Sequence, residues 1–107
     1  MTAETRLITY GSLRPGEANH HVMAGIPGRW VRGKVQGTID PRGRYPKYHA
    51  VANGKWIDVM VFISAVLRRH WTRIDRFEAS EGYRRVIVPV RIKGVPAAGY
   101  IYRAARP

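Results

Sequence analysis

Cysteine is absent from the 107 residues. No disulfide can staple this chain and no thiolate can hold a metal, so a hydrophobic core must carry the fold; a reducing, cytoplasmic location is expected. Acidic residues are scarce: 7 Asp and Glu stand against 19 Lys and Arg, a formal net charge of +12. Long apolar runs are missing too. The longest, VMVFISAVL, is too short to span a bilayer, and MTAETRLITY lacks the basic start and apolar stretch of a secretory signal. There is no repeat, low-complexity segment or linker. One domain over residues 1–107 is expected, burying about two-thirds of its unfolded surface.

The positive charge attracts polyanions at long range. Its arginines are nevertheless scattered through 29–44, 68–76, 84–91 and 103–106, without a continuous basic run. A merely basic surface is therefore expected, and neither nucleic acid nor membrane as partner. Of the four histidines, His20 and His21 point different ways on a helix and have no acid at i+3 or i+4, so no metal site is expected. Ser12 lacks the flanking glycines of a hydrolase's nucleophile elbow.

What is present reads as short strands. RLIT (6–9) is a first strand, and EANHHVMAG (17–25) has helical character. In RWVRGKVQGTI (29–39), Val31, Gly33, Val35, Gly37 and Ile39 share one parity, which makes a strand face. PRGRYPKYHAV (41–51) is loop-like, and Asn53-Gly54 signals a hairpin. KWIDVMVFI (55–63) reads as a central strand, and Ser64 can cap a helix over 65–78. GYRRVIVPVRI (82–92) alternates, with Pro89 at an edge or a bulge; KGVP turns into a last strand, AAGYIYR (97–103). Five or six strands with one or two helices predict an α+β fold, mostly antiparallel, able to close into a small barrel.

The helix carries an anomaly. Leu67, Trp71, Ile74 and Glu78 fall within about 60° of one another, so an apolar stripe runs into a glutamate. Asp75 lies off the stripe's centre, where a solvated charge belongs. A charged Glu on a buried face is costly unless paired or neutral. Glu78 therefore reaches solvent at a helix end, pairs with Arg84 or Arg85, or does chemistry. YGSLRPG (10–16) is equally open. It is either a strand-to-helix turn, with Gly11 supplying a positive φ, or a loop whose N–H groups cradle an anion.

Two stretches together resemble the γ-glutamylcyclotransferase-like family. TYGSLRPGEANHHVM is similar to that family's Tyr-Gly-Ser-Leu signature. IDRFEASEGYRRVIVPV is similar to its Asp-x-x-Glu helix end followed by a Tyr-Arg strand, and GRYPKY (43–48) resembles a Gly-x-Tyr-Pro segment between them. The resemblance runs over residues 7–92 and implies a small β-barrel flanked by helices. It implies a substrate-binding loop at Tyr10, Gly11, Ser12 and Leu13, and Glu78 as catalytic acid/base. It also implies release of 5-oxoproline and a free amine from a small γ-glutamyl substrate, without metal or organic cofactor. Tyr83 and Tyr100 are candidates for the pocket wall. A non-catalytic ligand-binding member of the fold, or a basic polyanion-binding module, are the alternatives. One departure stands out: where many members carry a Gly-Glu pair in the strand before the helix, this chain has Val59-Met60.

Overall fold

A computed structural model describes residues 2–11, 13, 14, 16, 17, 20–43 and 46–105. Its strands are β1 (Arg6–Thr9), β2 (Arg29–Asp40), β3 (Lys47–Ala50), β4 (Trp56–Ile63), β5 (Tyr83–Ile92) and β6 (Val95–Ala104). One α-helix, α1 (Trp71–Ser80), lies between β4 and β5, and 3₁₀ turns occupy Ala3–Thr5, His20–Met23 and Leu67–Arg69.

Strands β2, β4, β1, β6 and β5 are hydrogen-bonded in that order, and Lys34↔Arg91 brings β5 back to β2. The result is a closed five-stranded barrel, with β3 attached to β2 at Gly37–Asp40. Pairing is antiparallel except between β1 and β6, which run parallel through Leu7↔Tyr100 and Ile8↔Ile101. The expected α+β barrel is the fold that forms.

Strand alternation builds two cores. Ile8, Val35, Val61, Val90 and Ile101 fill the barrel. Their sequence neighbours on the opposite faces, such as Leu7, Phe62 and Tyr102, meet Leu67, Trp71 and Ile74 under α1. Each such side chain contributes about 1.5–3 kcal/mol when fully buried. No helix among the described residues is long and apolar enough to cross a membrane.

Several boundaries differ from the sequence reading. Ser64 caps no helix: its Oγ accepts the Val66 N–H at 3.2 Å, just ahead of the 3₁₀ turn Leu67–Arg69, which has no side-chain cap. The α-helix begins only at Trp71 and runs on to Ser80. Residues 17–25 contain no α-helix among those described, only the 3₁₀ turn His20–Met23. The segment 41–51 includes strand β3. Asn53-Gly54 turns the chain but joins no hairpin, because β3 and β4 pair with successive stretches of β2 rather than with each other. Pro89 is accommodated because β5 pairs along its length with β6 and meets β2 at a single register position.

Candidate active site

The end of β1, the last turns of α1 and the starts of β3 and β5 line a cavity that opens to solvent. Tyr10, Gly11 and Leu13 line one side, Phe77, Glu78 and Glu81 another, and Pro46, Tyr83 and Tyr102 complete it. Residues far apart in the chain thus converge as the motifs suggested: Tyr10, Gly11, Leu13, Glu78 and Tyr83 share one cavity. Ser12 lies outside the described residues. Tyr100 does not line this cavity. It borders a neighbouring depression with Asp75 and Arg85, since along β6 it sits two residues before Tyr102, edge-on to the Trp71 ring at a 5.5 Å centroid distance.

Glu78 is 7% exposed. Because α1 continues beyond it, the residue does not reach solvent at a helix end. It takes part in none of the ion pairs or side-chain hydrogen bonds among the described residues. Arg85, one of the partners the sequence allowed, is held by Asp75, with Nε to Oδ1 at 3.0 Å and Nη2 to Oδ2 at 3.2 Å. Burial, and secondarily the negative charge of Glu81, push the Glu78 carboxyl up to about 7. A group so poised can both take and give a proton near neutrality.

The loop after β1 is arranged with its carbonyls occupied. The Gly11 carbonyl accepts both the backbone N–H and the Nε–H of Arg14, each at 3.1 Å. The Leu13 carbonyl lies 3.0 Å from Nδ1 of His20. No backbone hydrogen bond engages the N–H of Gly11 or Leu13 among the described residues. Gly11 is not in the left-handed region, contrary to the turn reading. Its missing side chain would point at Pro46 Cδ, 3.9 Å away, across the cavity. That is an ordinary van der Waals contact, so neither space nor backbone conformation demands a glycine here.

Tyrosines set the walls. The Tyr10 hydroxyl donates to the Tyr102 carbonyl at 2.6 Å and accepts the Tyr48 N–H at 3.1 Å, and burial raises its pKa. The Tyr83 hydroxyl donates to the Pro46 carbonyl at 2.8 Å. Tyr102, Phe77 and Glu81 were not singled out from sequence. In the run Tyr100-Ile101-Tyr102 the two tyrosines share a face, so alternation could not choose between them. Among the described residues no cluster of His, Asp and Glu could hold a metal.

The profile of the gamma-glutamyl cyclotransferase, AIG2-like family matches residues 7–107. The chain belongs to this family. No curated protein matches its sequence. Among solved structures, YkqA from Bacillus subtilis is similar at 25% identity and a TM-score of 0.73, over 94% of this chain and 35% of that one. The chain thus spans about a third of the Bacillus protein. An AIG2-like protein from Mus musculus matches at 19% identity and a TM-score of 0.74, over 96% and 78% of the two chains. The protein PH0828 from Pyrococcus horikoshii matches at 22% identity and 0.67, over 96% and 80%. These last two likenesses are of fold.

Proposed function

We propose that this member of the family is a γ-glutamyl or γ-glutamylamine cyclotransferase, converting a small γ-glutamyl compound into 5-oxoproline and a free amine. The observation that carries the reading is Glu78: a buried carboxyl with no ionic partner among the described residues, its pKa raised to about 7, in the same cavity as the Gly11 and Leu13 loop. Family membership supports the same reaction type.

The substrate's α-carboxylate sits on the N–H groups at Gly11–Leu13, with Ser12 and Tyr10 completing the loop. This grip folds the glutamyl chain so that its α-nitrogen faces its own γ-carbonyl carbon. Glu78, ionised, takes a proton from the α-ammonium. The freed amine attacks the γ-carbon, and a tetrahedral intermediate forms. Glu78 returns that proton to the leaving nitrogen as the γ-amide C–N bond breaks, then relays the second proton of the ring nitrogen to the departing amine, which leaves as an ammonium. The products are a five-membered lactam and an amine, and Glu78 ends ionised as it began. Nucleophile and electrophile belong to one molecule, so the chemistry needs no cofactor, and orientation alone can supply several kcal/mol. Tyr83 and Pro46 also line the cavity.

The test is a screen of γ-glutamyl amino acids, polyamines and γ-glutamyl-ε-lysine for 5-oxoproline release. The expected result is turnover of at least one, lost in Glu78→Gln. Release undiminished in that variant would remove Glu78 from the mechanism.

A further inference from the structure

Asp75 was read from sequence as a solvated charge, and the structure places it elsewhere. Its side chain is 39% exposed and holds three donors. Two come from the Arg85 guanidinium, and the third is the Tyr102 hydroxyl at 2.5 Å. Arg85 has little freedom to leave: its guanidinium carbon lies 4.3 Å from the Trp71 ring centre and 4.4 Å from that of Tyr100. A planar cation packed against two aromatic rings is held in orientation as well as in place.

Tyr102 is 4% exposed and lines the cavity. It makes two links of different kinds. Its side chain ties to Asp75, one turn before Glu78 on α1. Its backbone carbonyl accepts the Tyr10 hydroxyl, at the entry to the loop. One residue thus connects the helix bearing the acid/base to the segment bearing the anion donors. We infer that Asp75 and Tyr102 act as positioning residues, setting the separation of Glu78 from the amides of Gly11 and Leu13. The inference rests on the cyclotransferase reading. Cyclisation demands that loop and carboxyl hold opposite ends of one short substrate, and a misplacement of about 1 Å can cost about a hundredfold in rate.

Tyr102→Phe tests this with least disturbance, because the ring and the carbonyl to Tyr10 remain. For whichever γ-glutamyl compound the parent turns over best, kcat should fall at least about tenfold while KM stays within about twofold. In parallel, ¹³C NMR titration of the Glu78 carboxyl should move downward as the turn relaxes toward water. Asp75→Asn should act in the same direction, and carries the test should Tyr102→Phe not fold. Asp58→Asn, whose side chain is 90% exposed on the barrel's outside, is the control and should match the parent. Parent-like titration and parent-like kcat in both variants would overturn the inference. Failure of the parent to release 5-oxoproline from any compound would instead sink the cyclotransferase reading, while the Glu78 titration would still decide whether Tyr102 positions that carboxyl.

Discussion

At Glu78 folding and chemistry pull against each other. Its carboxyl titrates near 7 when folded and near 4.5 when the chain is open. Between those values the unfolded chain gives up a proton that the folded one keeps. Stability from this group is therefore full below about pH 4.5, falls as pH rises through 7, and is flat above. A shift of this size corresponds to about 3 kcal/mol. Glu78→Gln removes the ionisation while keeping size and packing against Ile74. The variant should match the parent in stability near pH 4 and exceed it by up to about 3 kcal/mol above pH 8. Urea unfolding at several pH values measures this. A gap that stays constant with pH would mean the carboxyl is not desolvated. The same substitution should cost about 10²–10⁴ in turnover, and parent activity should rise with pH through about 7 as Glu78 ionises.

At the scale of the element, β2 decides how the barrel meets the site. Gly37 has φ +147, and an added Cβ would lie 2.3 Å from the His49 carbonyl oxygen and 2.9 Å from Tyr48 Cε1. The clash is with backbone and cannot be relieved by rotating a side chain. Gly37→Ala should lose about 1–3 kcal/mol from backbone strain alone, read as a lower urea midpoint. The damage should not stay local. Tyr48 is wedged between the Gln36 carbonyl, which its hydroxyl meets, and the Tyr10 hydroxyl, which its N–H meets. Displacing β3 therefore pulls on Tyr10, and KM for a γ-glutamyl substrate should rise. An alanine variant that is destabilised yet keeps the parent's KM would show that β3 does not support the loop.

For the molecule as a whole the dominant feature is charge. Its longest dimension is 34 Å and its formal net charge +12. Four ion pairs are seen among the described residues, and most of their partners are well exposed, so they contribute little. Repulsion among the remaining cations acts over the full molecule when the screening length is about 30 Å, near 0.01 M salt, and weakens when it is about 10 Å, near 0.1 M. The melting temperature should rise across that range. A falling one would show that local pairs outweigh the net charge. The same argument makes any attraction to nucleic acid weak and steeply salt-dependent. Tight binding that survives physiological salt would favour the polyanion-binding reading.

Alternation along β2 and β5, the apolar stripe of α1 and the two separated motifs were legible from the chain alone, because each depends on residues close in sequence. They were enough for an α+β barrel and for the burial of Glu78, since a carboxylate at i+11 on a buried stripe is a local fact. Where the α-helix begins was not legible: Ser64 suggested a cap, but neither the 3₁₀ turn nor α1 has a side-chain cap. Nor was the role of Asp75. Helical geometry places it off the stripe, and only the closing of β5 and β6 brings Arg85 and Tyr102 to it. The pairing of β3 and β4 with one strand, and the choice of Tyr102 over Tyr100 at the cavity wall, likewise depend on register between distant segments. Local pattern specified which faces must be buried. Long-range packing decided what each buried face would meet, and with it which polar groups share the site.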